Sequence, residues 1–483
     1  MGIIGDPGAP DRGSLDAQRV AAPPSRGTFD TNGNPRWTKP AVATKLARVA
    51  TVRRRIQRNK PPAAADPAQR RPNVRRALSH VGGRITVDST NAELSATLRA
   101  ALNVSADEGA TMKHVHGFHS YPARLHPETA RTVISAFSRP GHSVLDPFCG
   151  SGTVLVEARL AGRHAFGNDA NPLATELSWL KARGTTQHER DTILSAAQGV
   201  GEYADEQRRK RTGASRRYPA EDVSLYDPHV LLELDGLRSG IDRVQNADLR
   251  RALRLVLSAI LTKVSRRTSD SSRHAVAKRI AAGFASRLFV QKSGELVDRL
   301  ARFARELPRQ KLALELHRGD ARKPLGFPPR SIDLVVSSPP YPGVYDYFDH
   351  HATRLRWLEL PGQELEHAEM GSRRQLARMQ ADQAIEAWRQ DFGEVHRRLR
   401  GLLRRDARIL WVIADSVVGK RALRAAEFTR ALAVHHGFEV EGIASQVRPY
   451  FHQHTAHAFS TRPRQEHVVL LRRSRTRREP PND

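Results

Sequence analysis

Cysteine is nearly absent from this chain of 483 residues, which contains Cys149 alone. A single thiol excludes an intramolecular disulfide and a cysteine-rich metal site, and it favours a reducing compartment. The chain also lacks a run of eighteen apolar residues and a secretory signal, so we expect a soluble, cytoplasmic protein. Because no G-x-x-x-x-G-K-S/T phosphate loop occurs, the sequence gives no indication of ATP chemistry.

Acidic residues are scarce relative to basic ones, with 51 Asp and Glu against 79 Lys and Arg and a formal net charge of +28. A positive charge of this size attracts phosphate backbones over long range and without sequence preference. A solvated basic surface has the same composition, so charge indicates a nucleic-acid partner without separating DNA from RNA. Residues 1–80 are rich in Pro, Ala and Gly with little periodicity, and we predict that they form a disordered basic arm.

A proline-stiffened loop follows an apolar run near residue 332. Residues 332–337 read IDLVVS, the pattern of a buried parallel strand, and Ser338, Pro339, Pro340 and Tyr341 follow directly. Two prolines cannot continue strand pairing, so the chain leaves the sheet and presents carbonyl oxygens at the carboxyl end of the strand. Open α/β sheets bind their ligands at that edge. A hydroxyl, fixed carbonyls and an aromatic face suit the grip of a flat base that bears an exocyclic amine.

A second motif combines a short strand, a glycine turn and a helix. The strand at 143–146 runs into the sequence Phe-Cys-Gly-Ser-Gly, and a helix with Thr153 near its start follows. Gly150 and Gly152 allow a positive φ and close approach of a ligand to the backbone, and the helix N-terminus supplies unpaired N–H groups. About twenty residues further on, Asp169 ends a second strand, where an acid accepts hydrogen bonds from ribose hydroxyls in nucleotide-binding sheets.

These motifs are similar to those of a known family. Residues 148–152 resemble the F-x-G-x-G S-adenosylmethionine loop of the DNA amino-methyltransferases, and residues 338–341 resemble their catalytic loop. The serine form of that loop is associated more often with cytosine N4 than with adenine N6. Residues 118–127 are similar to the family's element over the methionine end of the cofactor. Residues 318–321 resemble its third-strand motif, whose acid faces the adenine amine.

The resemblance implies S-adenosylmethionine as the cofactor and assigns roles to the motif residues. It implies cofactor contacts from Tyr121, Asp146, Phe148, Gly150, Ser151, Gly152, Thr153, Asp169 and Asp320, and catalytic roles for Ser338, Pro339, Pro340 and Tyr341. A duplex hides the target amine, so the base must be flipped out of the stack. We expect Tyr341 to stack on that base while Ser338 Oγ and the Pro339 carbonyl accept hydrogen bonds from its amine. This scheme requires no metal and no covalent enzyme intermediate.

The position of the one cysteine bears on which methylation is expected. Methylation of cytosine at carbon 5 requires a cysteine nucleophile, typically after a proline, whereas Cys149 follows Phe148 inside the glycine turn. Carbon-5 chemistry is therefore not expected, and we interpret Cys149 as a small packing residue.

The distribution of apolar segments predicts an α/β fold with a doubly wound, mostly parallel, seven-stranded Rossmann-like methyltransferase sheet. The predicted strands lie near 143–146, 164–168, 312–317, 332–337, 407–414, 438–444 and 466–472. The predicted helices lie near 127–137, 153–161, 172–183, 187–211, 228–245, 247–266, 288–306, 382–404 and 421–436. The last two strands have no clear helix between them, which favours an antiparallel edge hairpin.

We divide the chain into the arm 1–80, a first methyltransferase part at 110–186, a helical insertion at 187–308 and a second methyltransferase part at 309–474. The arm and the insertion are candidate DNA contacts, and a solvated helical subdomain is the alternative for the insertion. A further candidate is the aromatic and basic segment 345–378. The densest basic cluster of the insertion consists of Lys263, Arg266, Arg267, Arg273, Lys278 and Arg279.

The sequence thus predicts a site-specific DNA methyltransferase that modifies an exocyclic amine, with cytosine N4 favoured. Three alternatives stay open: adenine N6 methylation of DNA, RNA methylation of the tRNA guanine N2 type, and a catalytically silent DNA-binding protein on the same scaffold. A restriction-modification partner is compatible with the resemblance, but no motif identifies one. The target sequence and the oligomeric state are not encoded in any recognisable pattern.

Overall fold

An eight-stranded sheet forms the centre of the chain in a computed structural model that describes residues 83–104, 109–270, 272, 276, 278–449 and 453–474. The strands in chain order are β1 (Ile85–Ser89), β2 (Ser143–Asp146), β3 (His164–Asp169), β4 (Leu314–Arg318), β5 (Ile332–Ser337), β6 (Leu403–Ala414), β7 (Ser416–Val418), β8 (Arg421–Leu423), β9 (Phe438–Val447) and β10 (Gln465–Arg473). In space the large sheet has the order β1-β9-β10-β6-β5-β2-β3-β4, and β7 and β8 form a separate hairpin.

The directions of the strands agree with a doubly wound sheet. Strands β4, β3, β2, β5 and β6 are mutually parallel, and β10 is antiparallel to both β6 and β9. All seven predicted strands are present, and the predicted fold class is confirmed. An eighth strand was not predicted: β1 pairs antiparallel with β9, so the final antiparallel pair does not lie at the sheet edge as expected. The basic arm predicted for residues 1–80 lies outside the described residues.

Helices cover both faces of the sheet. In chain order they are α1 (Ala92–Leu102), α2 (Gly109–Met112), α3 (Pro127–Phe137), α4 (Thr153–Leu160), α5 (Pro172–Ala182), α6 (Gln187–Arg209), α7 (Ala220–Leu225), α8 (Pro228–Asp242), α9 (Ala247–Val264), α10 (Phe284–Glu306), α11 (Tyr347–Leu358), α12 (Gln363–Ala368), α13 (Arg373–Leu376), α14 (Ala381–Leu402), α15 (Ala425–His435) and α16 (Gln453–Ala458). The helix predicted from residue 421 begins instead at Ala425, because β8 occupies the residues before it.

Two apolar clusters pack against the sheet from opposite sides. Along β5, Leu334 and Val336 belong to one cluster and Val335 to the other, as the alternation of side chains in a strand requires. The strand is apolar on both faces because both faces are covered, which is why its sequence reads as a continuous apolar run. Helix α14 supplies Trp388 and Phe392 to the second cluster.

Parallel connections bring the two sequence motifs to one edge of the sheet. Strand β2 pairs with β5 on one side and with β3 on the other. The glycine turn after β2, the acid at the end of β3 and the proline loop after β5 therefore leave the sheet side by side at its carboxyl edge. Helices α6 to α10 occupy residues 187–306, between β3 and β4 in the chain. Among the described residues, no helix combines the length and apolarity needed to cross a membrane.

Candidate active site at the carboxyl edge of the sheet

The glycine turn after β2 requires its two glycines for steric reasons. Gly150 has φ +49° and Gly152 has φ +87°, a region that side chains strongly disfavour. A Cβ atom on Gly152 would lie 2.9 Å from Oγ of Ser178 on α5, and one on Gly150 would lie 3.3 Å from the Tyr121 ring. The turn is thereby pressed against α5 on one side and against Tyr121 on the other, and α4 begins directly after it.

Asp169 closes this turn from the end of β3. One carboxylate oxygen accepts a hydrogen bond of 2.8 Å from the Gly150 N–H, and the other accepts one of 2.9 Å from the Asn171 N–H. Burial raises the pKa of Asp169 to about 6, although both hydrogen bonds oppose that rise. The acid expected to hold a ribose thus also fixes the turn, and it lines a cavity beside it.

The Asp146 side chain is hydrogen-bonded to neighbouring protein groups. Its Oδ1 atom accepts hydrogen bonds from Ser337 Oγ at 2.5 Å and from the Phe148 N–H at 3.1 Å, and the side chain is buried. Burial raises the pKa of Asp146 to about 7. The carboxyl group therefore joins the end of β2 to the end of β5, and Asp146 is not among the described residues that line the neighbouring cavities.

The proline loop is fixed through the hydroxyl of Tyr341. Ser338 Oγ lies 3.3 Å from this hydroxyl, within donor distance. The same hydroxyl lies 3.3 Å from the Val412 carbonyl oxygen and 3.4 Å from Oε1 of Glu466. Burial raises the pKa of Tyr341, so the phenol is neutral and can donate. The aromatic ring is consequently held at its outer end by β6 and β10.

Two adjoining cavities open at this edge of the sheet. The larger measures about 350 Å³ and the smaller about 80 Å³. Tyr121, Ala123, Ser338 and Tyr347 line both cavities, so these side chains form the boundary between them. The wall of the smaller cavity includes Gly150. The glycine turn and the proline loop therefore face the same space.

The sequence-predicted residues divide between these cavities. The smaller cavity is lined by Tyr121, Phe148, Gly150, Asp169, Asp320, Ser338 and Pro340. The larger is lined by Tyr121, Thr153, Ser338, Pro339 and Tyr341. Three predicted cofactor residues, Asp146, Ser151 and Gly152, are absent from both walls in the described part of the chain; Ser151 and Asp146 are buried, and Gly152 packs on α5.

Asp320 lies at the smaller cavity but is engaged by a neighbour. Arg322 contacts both carboxylate oxygens, with the shortest separation 2.8 Å, and also pairs with Asp391 on α14 at 2.8 Å. The acid expected to face an adenine amine is therefore already partly satisfied by a guanidinium group. Its availability to a ligand is lower than the motif alone indicates.

Several wall residues were not predicted from the sequence. Glu369 and Met370 line the smaller cavity, and Arg448, Arg464 and Glu466 line the larger. Arg448 contacts Glu466 at 2.9 Å through Nε, so one of the two arginines is paired within the cavity wall. None of these residues lies in a motif. Tyr347 belongs to the segment 345–378, which the sequence analysis selected for its aromatic and basic residues.

Two residues of the basic cluster expected to contact DNA make internal contacts. Arg266 pairs with Asp227 at 2.7 Å, and Lys278 donates to the Arg267 carbonyl at 2.6 Å. In the aromatic segment, Arg354 is buried and pairs with Asp270 at 2.9 Å. These contacts tie the helical insertion to itself and to α11, while Arg273 lies outside the described residues.

Comparison with known proteins agrees with the motif analysis over part of the chain. Residues 92–178 match the model of a protein family described as DNA methylase. The segment with β2, the glycine turn and β3 is thus similar to the methyltransferase class predicted from the sequence. More narrowly, this segment is similar to the DNA amino-methyltransferases, and S-adenosylmethionine is the cofactor that this similarity implies.

Relatives share short segments with this chain. The type II methyltransferase M.MjaII of Methanocaldococcus jannaschii is 37% identical over 60 residues, which are 12% of this chain and 11% of the relative. A tRNA (guanine(10)-N2)-dimethyltransferase of Methanothermobacter thermautotrophicus is 33% identical over 69 residues, 14% of this chain and 18% of the relative. The matched segments span less than a fifth of either relative. The solved rRNA methyltransferase aviRa from Streptomyces viridochromogenes is 13% identical with a TM-score of 0.29, covering 78% of this chain and 96% of that one.

Proposed function

We propose that this protein is an S-adenosylmethionine-dependent methyltransferase that modifies the exocyclic amine of a base in DNA. The observation that carries the proposal is the shared cavity, whose wall includes both Gly150 of the glycine turn and Ser338 and Pro340 of the proline loop. A methyl donor held at the turn and an amine held at the loop would meet in one space. Positioning of that kind supplies much of the rate of a transfer between two bound molecules.

The residues of the smaller cavity fit the cofactor that the family implies. The backbone at Gly150 can approach a ligand closely, and the cavity wall carries three carboxyl groups, on Asp169, Asp320 and Glu369, that could accept hydrogen bonds from an adenosine. When bound, S-adenosylmethionine supplies an electrophilic methyl group. Pockets for molecules of this size measure about 300–1,000 Å³, so the volume of about 80 Å³ must increase for binding. The side chains of Tyr121 and Tyr347, which form the boundary with the larger cavity, are the ones we expect to move.

The larger cavity is the proposed acceptor site. An exocyclic amine is a weak nucleophile because its lone pair is delocalised into the ring. Ser338 Oγ and the Pro339 carbonyl would accept hydrogen bonds from the amine, which favours pyramidal geometry and stabilises the developing positive charge. Tyr341 would stack on the flipped base, its ring held by the contacts of its hydroxyl to Val412 and Glu466. Serine at position 338 favours cytosine N4 over adenine N6.

RNA is the second candidate substrate. It is favoured by the similarity to the tRNA (guanine(10)-N2)-dimethyltransferase. That match extends over 69 residues at 33% identity, and the match to the type II enzyme extends over 60 residues at 37% identity. An RNA enzyme of this kind would use nearly the same proline loop. The serine at 338 supports DNA, since an acid is typical of that position in the RNA enzymes.

Transfer of a labelled methyl group separates these candidates. We expect incorporation into duplex DNA and, after digestion to nucleosides, detection of N4-methylcytosine by mass spectrometry. Detection of N6-methyladenine would show that adenine is the target base. Transfer to tRNA alone would refute the choice of DNA. Ser338→Ala should lower kcat about 100- to 1,000-fold, the effect of removing one catalytic hydrogen-bonding group. Ser224→Ala, at an exposed position of α7, is the matched control and should leave kcat unchanged.

A further inference from the structure

Glu369, directly after α12, has a buried carboxylate oxygen that lacks a partner. The residue is 5% exposed and lines the smaller cavity. Its Oε1 atom accepts a hydrogen bond from the Tyr347 N–H, whereas Oε2 has no hydrogen-bond partner among the described residues. A buried acceptor without a donor costs free energy. A hydrogen-bond donor on a ligand that reaches this oxygen would remove that cost.

The other two carboxyl groups of this cavity differ from Glu369. Both oxygens of Asp169 accept backbone hydrogen bonds, and both oxygens of Asp320 contact Arg322. Glu369 is thus the carboxyl group of this wall with an oxygen that lacks a hydrogen-bond partner among the described residues. Burial raises the pKa of Glu369 to about 7, although backbone hydrogen bonds from Tyr347 and Phe348 oppose that rise.

The segment that carries Glu369 is anchored on both sides. Asp346, just before α11, accepts hydrogen bonds from Ser372 Oγ at 2.9 Å and from the Arg374 N–H at 2.8 Å. Together with the contact between Glu369 and the Tyr347 N–H, these bonds hold the chain around residue 369 against the start of α11. The free oxygen is therefore placed by several contacts and not by a mobile side chain alone.

Apolar residues line the cavity together with Glu369. Leu365, Ala368 and Met370 line the same cavity, and Gly319 and Ala321 lie on its wall after β4. Flat apolar walls suit a nucleobase. In such a pocket only a few polar groups contact the ligand, and these groups fix the orientation of the ligand. An uncharged N–H or O–H donor at the rim of an adenosine matches this environment better than a fully charged ammonium group does.

We propose that Glu369 is a cofactor-binding residue that accepts a hydrogen bond from an uncharged donor of the adenosine moiety, either the adenine amine or a ribose hydroxyl. This inference rests on the proposed function, since it takes S-adenosylmethionine as the ligand. It assigns to Glu369 the part that the third-strand motif would have given to Asp320, whose oxygens Arg322 occupies.

Binding of S-adenosylhomocysteine measured by calorimetry tests the proposal. In Glu369→Gln the Tyr347 N–H retains the amide oxygen, so the amide nitrogen must face the cavity and present a donor where an acceptor is needed. We expect affinity to fall about 10- to 100-fold, the range for a hydrogen bond to a charged group. Glu364→Gln, exposed on the neighbouring turn of α12, is the matched control and should bind normally.

Cofactor analogues identify the donor. S-inosylhomocysteine lacks the exocyclic amine, and the 2′-deoxy and 3′-deoxy forms each lack one hydroxyl. The analogue that lacks the bonded donor should bind the wild-type protein more weakly, and Glu369→Gln should cause little further loss with that analogue. A different pattern would overturn the proposal. If Glu369→Gln lowers the affinity for all three analogues equally but does not lower the affinity for 5′-methylthioadenosine, which lacks the ammonium group, then Glu369 contacts the ammonium group.

The outcomes also separate this inference from the proposed function. If the wild-type protein binds no S-adenosylhomocysteine, the proposed cofactor is wrong. If the wild-type protein binds and Glu369→Gln binds equally well, the cofactor stands and the role of Glu369 is refuted. Thermal unfolding without ligand checks the fold, and Glu369→Gln should unfold no earlier than wild type because it removes an ionisable group from a buried position.

Discussion

Ser337 on β5 donates a hydrogen bond of 2.5 Å to Asp146 at the end of β2. The two strands that carry the glycine turn and the proline loop are thus joined by side chains directly below the site. Because Asp146 also accepts from the Phe148 N–H, a single carboxyl oxygen orients the start of one loop relative to the other. The cofactor contact expected of Asp146 stays a prediction, and its hydrogen bonds to Ser337 and Phe148 join the two loops.

Replacing Asp146 should change how stability depends on pH. Its pKa of about 7 lies above the ordinary value of 3.8, so its contribution is present at low pH and is lost as pH rises from about 4 to about 7. Asp146→Asn retains the oxygen that accepts both hydrogen bonds and cannot ionise. We expect it to raise the free energy of unfolding at pH 8 by at most about 4 kcal/mol, given 1.36 kcal/mol per pKa unit.

Urea unfolding at pH 5 and pH 8 measures this effect, with Asp298→Asn at an exposed position of α10 as the control. The difference between Asp146→Asn and wild type should be larger at pH 8. An equal or smaller difference at pH 8 would mean that Asp146 is ionised in the folded protein without cost.

The contributions of the ring and of the hydroxyl of Tyr341 can be tested separately by two substitutions. Tyr341→Phe removes the contacts to Ser338, Val412 and Glu466 but keeps the ring, so we expect kcat to fall about fivefold, as for one hydrogen bond of about 1 kcal/mol. Tyr341→Ala also removes base stacking, which is worth about 1–3 kcal/mol. Binding of S-adenosylhomocysteine should change little in either variant. Equal activity of the Phe and Ala variants would exclude stacking as the role of the ring.

Cofactor affinity should weaken as pH falls from 8 to 5. Asp169 has a pKa of about 6, raised by burial, and it must be ionised to accept hydrogen bonds with both oxygens while a ribose donates to it. Protonation replaces an acceptor by a donor and so opposes binding. Calorimetric titration with S-adenosylhomocysteine at several pH values gives the profile, and Asp169→Asn should bind weakly with a flatter profile. A wild-type affinity independent of pH would show that Asp169 is not a ligand.

Two glycine substitutions should have opposite effects on stability. Gly152→Ala places a Cβ atom 2.9 Å from Ser178 Oγ and 3.0 Å from its Cα, at φ +87°, and should cost about 1–3 kcal/mol. Gly199→Ala, within α6, meets no atom within 4 Å and should stabilise the helix by about 0.5–1 kcal/mol. Chemical denaturation of both variants checks the pair. Similar changes in the two would mean that the turn adapts to a side chain.

The parts of the fold with strong local signals were predicted well. Strand β5 has the predicted bounds because its apolar run is covered on both faces and ends at two prolines. Strand β1 was missed because only alternate residues are partly buried and the segment is five residues long, so its pairing with β9 depends on the rest of the sheet. Strand β8 was predicted as the start of the helix 421–436, since the hairpin it forms with β7 has no turn signal beyond Gly419.

The candidate site was predicted only where a motif determined it. Residues of the two loops reach the cavities because strand order brings their ends together, and this follows from the α/β pattern. Glu369 and Glu466 come from segments without a motif, and only the folded chain brings them to the cavity walls. The engagement of Asp320 by Arg322 depends on side-chain geometry that spacing in the sequence does not report.

Strand β1 also bears on how the protein behaves in solution. Because β1 pairs with residues 442–446 of β9, the backbone N–H and C=O groups on that side of this stretch cannot recruit a strand from another molecule. A chain beginning at Thr90 would expose this row of groups along residues 442–446 of β9. Such a shortened protein should self-associate at concentrations at which the full chain stays dispersed, and light scattering would detect the difference.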